Sequence, residues 1–378
     1  MSLRWSRSRS ESATVDSSHN TPKPLRPIAV DAMGGDRAPN AVVRGAVRAC
    51  QNGDGPIILV GDQERIGLAL EDTDAAGLPI EVLHTAQYIG MSESPSRAAR
   101  TKRQSSMHLG FELLKEERAA AFVSAGNTGA MLTVGMMTVR RLPNCNRPAI
   151  ATSIPSAGNA TVLVDVGANV DVRAAHLVQF GLMGAAYSTV LHGVERPSVG
   201  LLSNGAEPTK GNDTLREAHR LLTQVDVNYV GFVEGRDIPA GRCDVVVTDG
   251  LTGNIVLKTI EGVGMALFAR IRGQLEKSIF GRLGAGLLKS PLRTIRDEFD
   301  WERVGGAPLL GLDGVIIVAH GAATSRAIAG AIGLARRYHQ IDLVSTVRTA
   351  LEEAIPEEQA NTNELPITRG SGPFERIE

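Results

Sequence analysis

Short aliphatic runs recur along the chain, and each ends in glycine and polar residues just before a helical pattern. Residues 56–60 (PIILV) run into Gly61-Asp62, 120–124 into Gly126-Asn127-Thr128-Gly129, 160–165 into Val166-Gly167-Ala168-Asn169, and 314–319 into His320-Gly321. Apolar strands that alternate with helices specify a mainly parallel sheet covered on both faces, because parallel neighbours need crossover connections. The expected fold class is α/β, a three-layer α/β/α arrangement. With 41 glycines and only 4% aromatics, small helix residues can pack closely on Val/Ile strands. The spacing predicts helices over 39–51, 96–117, 130–141, 173–192, 214–224 and 255–277.

In such sheets ligands gather where strands end. Here those ends carry Asp31, Asn127, Asp165, Asn169, Asn204, Lys210, Asp249, Asn254 and His320, which are expected on one rim. The loop with the most polar chemistry is 201–212, LLSNGAEPTKGN. Its glycines let the backbone turn and bring N–H groups close to an anion. Lys210 supplies a point charge, and the helix that follows presents its N-terminus. The loop reads either as an oxyanion or phosphate cradle, or as a polar turn capped by Asn212 or Asp213. Lys258, four residues after Asn254 on one helical face, either joins that chemistry or pairs with Glu261. His320 is suited to proton relay near neutral pH, or to a structural hydrogen bond.

Other classes of chemistry find little support. A formal net charge of −1 gives no global field for nucleic acid. Cys50, Cys145 and Cys243 form no CxxC and no metal spacing, which points to a reduced, cytoplasmic compartment. No GxGxxG follows a strand, and GxxxxGK[ST] and GxSxG are absent, so no cofactor, no metal and no covalent nucleophile are expected. What remains suits direct transfer to a bound anionic nucleophile, with the developing oxyanion held by hydrogen-bond donors.

Residues 1–27 are Ser/Arg/Pro-rich and are expected to be a disordered extension, and 352–378, with seven acids against Arg369 and Arg376, a disordered acidic tail. Residues 28–351 then form a single α/β domain. The uncharged runs 119–139 and 174–194 are long enough to span a bilayer, but their polar and glycine content marks them as buried core. Residues 277–296 hold five cations and no acid, with Ile279, Phe280, Leu283, Leu287, Leu288 and Leu292 on the apolar side. Gly284, Gly286 and Pro291 would break the segment into a helical hairpin over about 277–300. Such a segment lies on an anionic membrane surface, or packs on its own domain or on a second copy.

The motifs VDAMGGD (30–36), ESPS and RTKRQSSM (93–107), SAGNTGA (124–130), LVDVGANVD (163–171), NGAEPTKGN (204–212), TDGLTGNIVLKTIEG (248–262) and HGA (320–322) occur in one order. Over residues 27–350 this resembles the PlsX family of bacterial acyl-ACP:phosphate acyltransferases. The resemblance implies that long-chain acyl-ACP and inorganic phosphate give acyl phosphate and ACP for phospholipid synthesis. It implies a fold similar to the isocitrate and isopropylmalate dehydrogenases, without NAD, and a homodimer. It also implies peripheral contact with the inner face of the cell membrane, where a glycerol-3-phosphate acyltransferase consumes the product. On the matching positions, Lys210 and Asn212 would hold phosphate, Asn254 and Lys258 would face the reacting acyl group, and His320 would orient or relay a proton. Asp31, Gly34, Asn127, Gly129, Asp165, Asn169, Asn204, Gly211, Asp249 and Gly253 would shape the pocket. Arg97, Arg100, Lys102 and Arg103 would dock acidic ACP, or form a solvated helix face. Two departures stand out: Ala322 and Ala323 replace an HGSS-like pair of hydroxyls, and Gln104 replaces an acid. The rival readings are another enzyme on the same fold, a phosphotransacetylase using acyl-CoA or a decarboxylating dehydrogenase, and a non-catalytic membrane scaffold.

Overall fold

The computed structural model describes residues 25–158, 160–275 and 304–354, together with positions 277, 290, 293 and 295. The strands are β1 (Ile28–Asp31), β2 (Ile57–Gly61), β3 (Ile80–His84), β4 (Ala121–Ser124), β5 (Ala149–Ile154), β6 (Thr161–Val164), β7 (Ser198–Leu202), β8 (Asn228–Val233), β9 (Val245–Val247), β10 (Gly306–Leu310) and β11 (Val315–Ala319). The helices are α1 (Asn40–Gln51), α2 (Gln63–Glu71), α3 (Pro95–Thr101), α4 (Ser106–Lys115), α5 (Thr128–Thr138), α6 (Ala174–His192), α7 (Asp213–Leu222), α8 (Asp237–Ala240), α9 (Gly250–Leu275), α10 (Ser325–Gln340) and α11 (Leu343–Ala354).

All the strands join one 11-stranded sheet in the order β3-β2-β1-β4-β11-β10-β5-β6-β9-β7-β8. Pairing is parallel except at β11–β10, β10–β5 and β5–β6. The three antiparallel steps reverse the strand direction between the two halves. Loops after β1, β4 and β11 therefore leave one edge of the sheet, and loops after β6, β9 and β7 leave the other. The ends of β1, β4 and β11 and the ends of β6 and β9 nevertheless meet at one cleft, which the loop after β7 does not line.

Period-2 alternation sends neighbouring strand residues to opposite faces. Ile28, Val30, Ala121 and Val123 pack with α1, α2, α6, α7, α10 and α11. Ala29, Phe122, Leu163 and Val246 pack with α3, α4, α5, α8 and α9. Phe111 and Phe122 are fully buried, with ring centroids 4.7 Å apart, and burying each contributes about 1.5–3 kcal/mol. Gly110 makes room for that pair, since a Cβ there would strike the Phe122 ring.

Several expected boundaries shift. The helix expected over 96–117 is two helices, because Ser105 caps α4 by accepting from His108 N–H and Thr85 Oγ1 donates to Gln104 O at 2.5 Å. β10, unforeseen in a Gly-Gly-Ala-Pro stretch, supplies the antiparallel centre of the sheet. α11 reaches Ala354, three residues into the expected acidic tail. At the other end, Arg26 O accepts from Arg336 Nη1 at 2.7 Å and Pro27 O from Ala120 N–H, so these residues, expected in the extension, are tied to the body. Residues 1–24 and 355–378 lie outside the described residues, as do Ile279, Phe280, Leu283, Leu287, Leu288 and Leu292. Both uncharged runs are core, as expected: residues 119–126 and most of α6 are buried, and α5 buries Ala130, Met131, Leu132, Val134 and Gly135. Among the described residues, α9 is the helix long and apolar enough to cross a membrane, yet it is largely exposed.

Candidate active site

A cleft of about 440 Å³ opens between α9 and the face of the sheet where its direction reverses. Its polar mouth holds Asp36, Thr128, Asn254, Lys258, Glu261 and His320, and its apolar part includes Ile150, Ile154, Leu257 and Ile260. Asn254, Leu257, Lys258 and Glu261 follow i, i+3, i+4, i+7 spacing, so one face of α9 supplies all four. Lys258 Nζ donates to Glu261 Oε2 at 2.9 Å, which holds the ammonium at the cleft wall. His320 follows β11 directly. Its Nδ1 accepts from Ala322 N–H at 3.1 Å, so the neutral ring carries its proton on Nε2 and presents a donor there.

Asn254, Lys258 and His320 thus come together as the sequence placed them. The pocket-shaping residues act mostly one step back, by fixing the loops. Asp31 accepts from Ser124 Oγ at 2.7 Å and from Met33 N–H, beneath Gly34, where a Cβ would strike that carboxylate. Burial pushes its carboxyl above the usual range, against the hydrogen bonds from Ser124 and Met33. Asp165 is fully buried and accepts from the N–H groups of Ile150, Gly167, Ala168 and Asn169, while Asn169 Nδ2 also donates to Pro148 O. Burial raises the Asp165 carboxyl as well. Asn127 caps α5 through Ala130 N–H and holds Met91 and Glu93 through its amide. Gly129 lies against Pro95, which leaves no room for a side chain. Asp249 accepts from Thr252 N–H and Thr252 Oγ1 at the start of α9. Gly253 lets that helix lie on the Asp165 carbonyl.

The 201–212 loop is set apart. Lys210, Asn204, Gly211 and Asn212 do not line the cleft of their own chain. Asn204 Oδ1 accepts from Gly211 N–H at 3.1 Å, Gly211 has φ +78°, and Asn212 caps α7 through Leu215 N–H, while Lys210 is exposed. Of the basic residues, Arg97, Arg100 and Arg103 are exposed on and beside α3. Lys102 instead donates to Glu93 Oε1 at 2.6 Å and to Tyr88 O, and this bond holds the Glu93 carboxyl below its usual range.

Sequence reasoning passed over Asp36 and gave Glu261 only a pairing role, although both line the cleft. Asp36 closes the VDAMGGD motif, and its N–H donates to Gly321 O at 2.8 Å, which ties the β1 loop to the His320 loop. A polar residue just after a glycine pair at a strand end was the available signal.

The architecture is that of the phosphotransacylases. A phosphotransacetylase from Streptococcus pyogenes superposes with TM-score 0.56 at 17% identity, over 87% of this chain and 95% of the other. The EutD phosphotransacetylase from Staphylococcus aureus gives 0.51 at 16% identity, over 85% and 94%. The sequence is more specific: it matches the fatty acid synthesis protein family over residues 27–346, and the chain belongs to that family. It is 49% identical over 309 residues to a phosphate acyltransferase of Syntrophotalea carbinolica, covering 82% of this chain and 89% of that one. It is 44% identical over 326 residues to a phosphate acyltransferase of Pelobacter propionicus, covering 86% and 94%. The chain is thereby an enzyme of the acyltransferase class.

Proposed function

We propose that this enzyme joins long-chain acyl-ACP and inorganic phosphate to give acyl phosphate and ACP for phosphatidic acid synthesis. The observation that carries the reading is the meeting of Asn254, Lys258 and His320 at the mouth of a cleft whose inner walls are apolar. A phosphate oxygen attacks the thioester carbonyl carbon. The C–O bond forms, the carbonyl electrons move onto oxygen, and they return as the C–S bond breaks. Asn254 and Lys258 are assigned to the developing oxyanion, where fixed donors act most strongly. His320, with its proton on Nε2, is assigned to the departing thiolate. Phosphate is anionic at neutral pH, so the mechanism asks for little base strength.

Lys210 and Asn212 are assigned to phosphate capture outside the cleft, which suits an exposed cation on a glycine-bounded loop. Arg97, Arg100 and Arg103 are assigned to ACP, because a row of exposed cations suits an acidic carrier. A homodimer is proposed through α9, whose exposed Leu251, Ile255, Val263, Met265, Leu267 and Ile271 are costly to leave in water. Residues 277–296 are proposed to rest on the anionic inner face of the cell membrane, with the glycerol-3-phosphate acyltransferase as the consumer of product. The protein is then cytoplasmic and peripheral.

The test is acyl phosphate formation by purified protein from palmitoyl-ACP and phosphate, repeated with palmitoyl-CoA. Product from the ACP donor supports the reading. Product from the CoA donor alone replaces ACP with CoA, and no product from either sinks the catalytic reading.

A further inference from the structure

The cleft mouth continues onto a braced surface that the proposed chemistry leaves unused. Residues 85–94 join β3 to α3, and Glu93 ties them in place. Its Oε1 accepts from Gly90 N–H and from Lys102 Nζ, each at 2.6 Å. Lys102 Nζ also donates to Tyr88 O at 2.9 Å, and Asn127 Nδ2 donates to Met91 O and Glu93 O, each at 3.0 Å. The backbone is thus fixed, yet Tyr88 and Met91 are each 42% exposed. Met91 also lines the cleft, and its Cε would stand 2.7 Å from a Cβ built at Gly321, the neighbour of His320. Tyr88 does not line the cleft; the Arg65 guanidinium lies 6.0 Å and the Lys102 ammonium 5.9 Å from its ring centroid.

The same segment is basic. Residues 85–105 carry Arg97, Arg100, Lys102 and Arg103 against Glu93 alone, in a chain whose net charge is −1. Lys102 is taken up by Glu93 and braces the loop, while Arg97, Arg100 and Arg103 stand exposed. Exposed Tyr, Met and Arg on a rigid backbone suit a protein–protein interface, because little freedom is lost when a partner covers them.

We propose that the 85–94 loop and α3 form one docking face for an acidic carrier protein, and that Met91 guides the carrier's thioester arm over Gly321 to His320. This rests on the reading of the cleft as the acyl-transfer site and adds a direction of entry to it. The arginines supply attraction, Tyr88 an apolar anchor, and Met91 the path inward. A carrier protein suits the face because its acids match the arginines, and because its arm needs a route from the docking surface to the reacting centre. Met91 belongs to both.

The experiment uses the full chain with Met91→Cys and holo-ACP whose terminal thiol is carried as a pyridyl disulfide. The introduced thiolate attacks the carrier's sulfur, thiopyridone leaves, and its absorbance reports the rate. Cys50, Cys145 and Cys243 are buried, so wild type is the blank. Thr349→Cys, exposed on α11 across the sheet, gives the rate of undirected collision. Met91→Cys is expected to react with the carrier about tenfold faster or more at low salt, and adding Arg97→Glu and Arg100→Glu should remove about tenfold of that rate. The pyridyl disulfide of pantetheine, which is the arm without a carrier, should be slowed by less than about twofold by the same charge reversal. Equal carrier rates at 91 and 349, or equal slowing of carrier and pantetheine, overturns the proposal. So does a CoA pyridyl disulfide that reacts as fast as the carrier and is slowed as much, which would assign the face to a nucleotide. As a second measurement with native cysteines, Tyr88→Ala should raise the Kd of holo-ACP about tenfold by calorimetry, and an unchanged Kd overturns the docking face. None of these readouts needs turnover. A wild type that makes no acyl phosphate from any donor overturns the underlying functional reading instead.

Discussion

Two lysines carry separable expectations. Lys258 sits in the cleft, held by Glu261, and Lys210 stands outside it. Lys258→Ala is expected to cut kcat about a hundredfold, the usual loss of one oxyanion donor. Lys210→Ala should instead raise the phosphate KM about tenfold while leaving kcat near wild type, the signature of lost ground-state binding. Steady-state kinetics with phosphate varied decides both. Asp31 makes a different prediction. Its folded-state carboxyl is raised from the ordinary 3.8, so the native state binds that proton more tightly than the unfolded chain. The stability this contributes is fully present below 3.8 and is lost as pH rises through the raised value. Denaturant midpoints should therefore show wild type losing stability relative to Asp31→Asn between acid and neutral pH. An unchanged difference across that range would mean that Asp31 is no more protonated in the fold than outside it. That these residues are candidates was legible in the sequence, because polar groups beside glycine at strand ends are conspicuous. Their division of labour was not. Whether Asp165 or Asn127 faces a ligand or ties its own loop depends on which backbone N–H groups converge on it, and residues such as Ile150 arrive there only through tertiary pairing.

At the level of elements, most strands and helices were legible from periodicity, and the exceptions have physical causes. The 96–117 segment has helical spacing throughout, but Ser105 and the bonds from the 85–87 segment stop it midway. β10 carries turn-forming residues and is a strand only because β11 and β5 flank it. α9 shows how one helix can hold glycines of opposite meaning. A Cβ at Gly253 would strike the Asp165 carbonyl, whereas nothing lies within 4 Å of a Cβ built at Gly262. Gly253→Ala is expected to destabilise by about 1–3 kcal/mol and to lower activity by displacing Asn254 and Lys258. Gly262→Ala should stabilise by up to about 1 kcal/mol, through helix propensity alone. Urea midpoints for the pair check this, and equal shifts in one direction would refute the close approach at Gly253.

Across the whole molecule, the sequence made the α/β class and helices on both faces legible, but not the reversal of the sheet. Strand direction is not written in a strand's own residues. It follows from how β10, β5 and β6 pair, and those short antiparallel steps look locally like any other apolar runs. The reversal sets the cleft where the halves meet, and the strand ends of both halves line it. On the proposed dimer, charge placed on the outer surface of α9 should prevent association. Leu267→Glu is expected to sediment as a monomer where wild type sediments as a dimer, and a monomeric wild type would remove the proposal.

α9 is also the helix whose inner face carries Asn254, Lys258 and Glu261. If its outer face is covered only in the dimer, the order of the catalytic wall follows the law of mass action. Turnover per mole of enzyme would then fall on dilution through the association constant. Rates would grow faster than linearly with protein concentration, and the enzyme would be least active where it is scarcest.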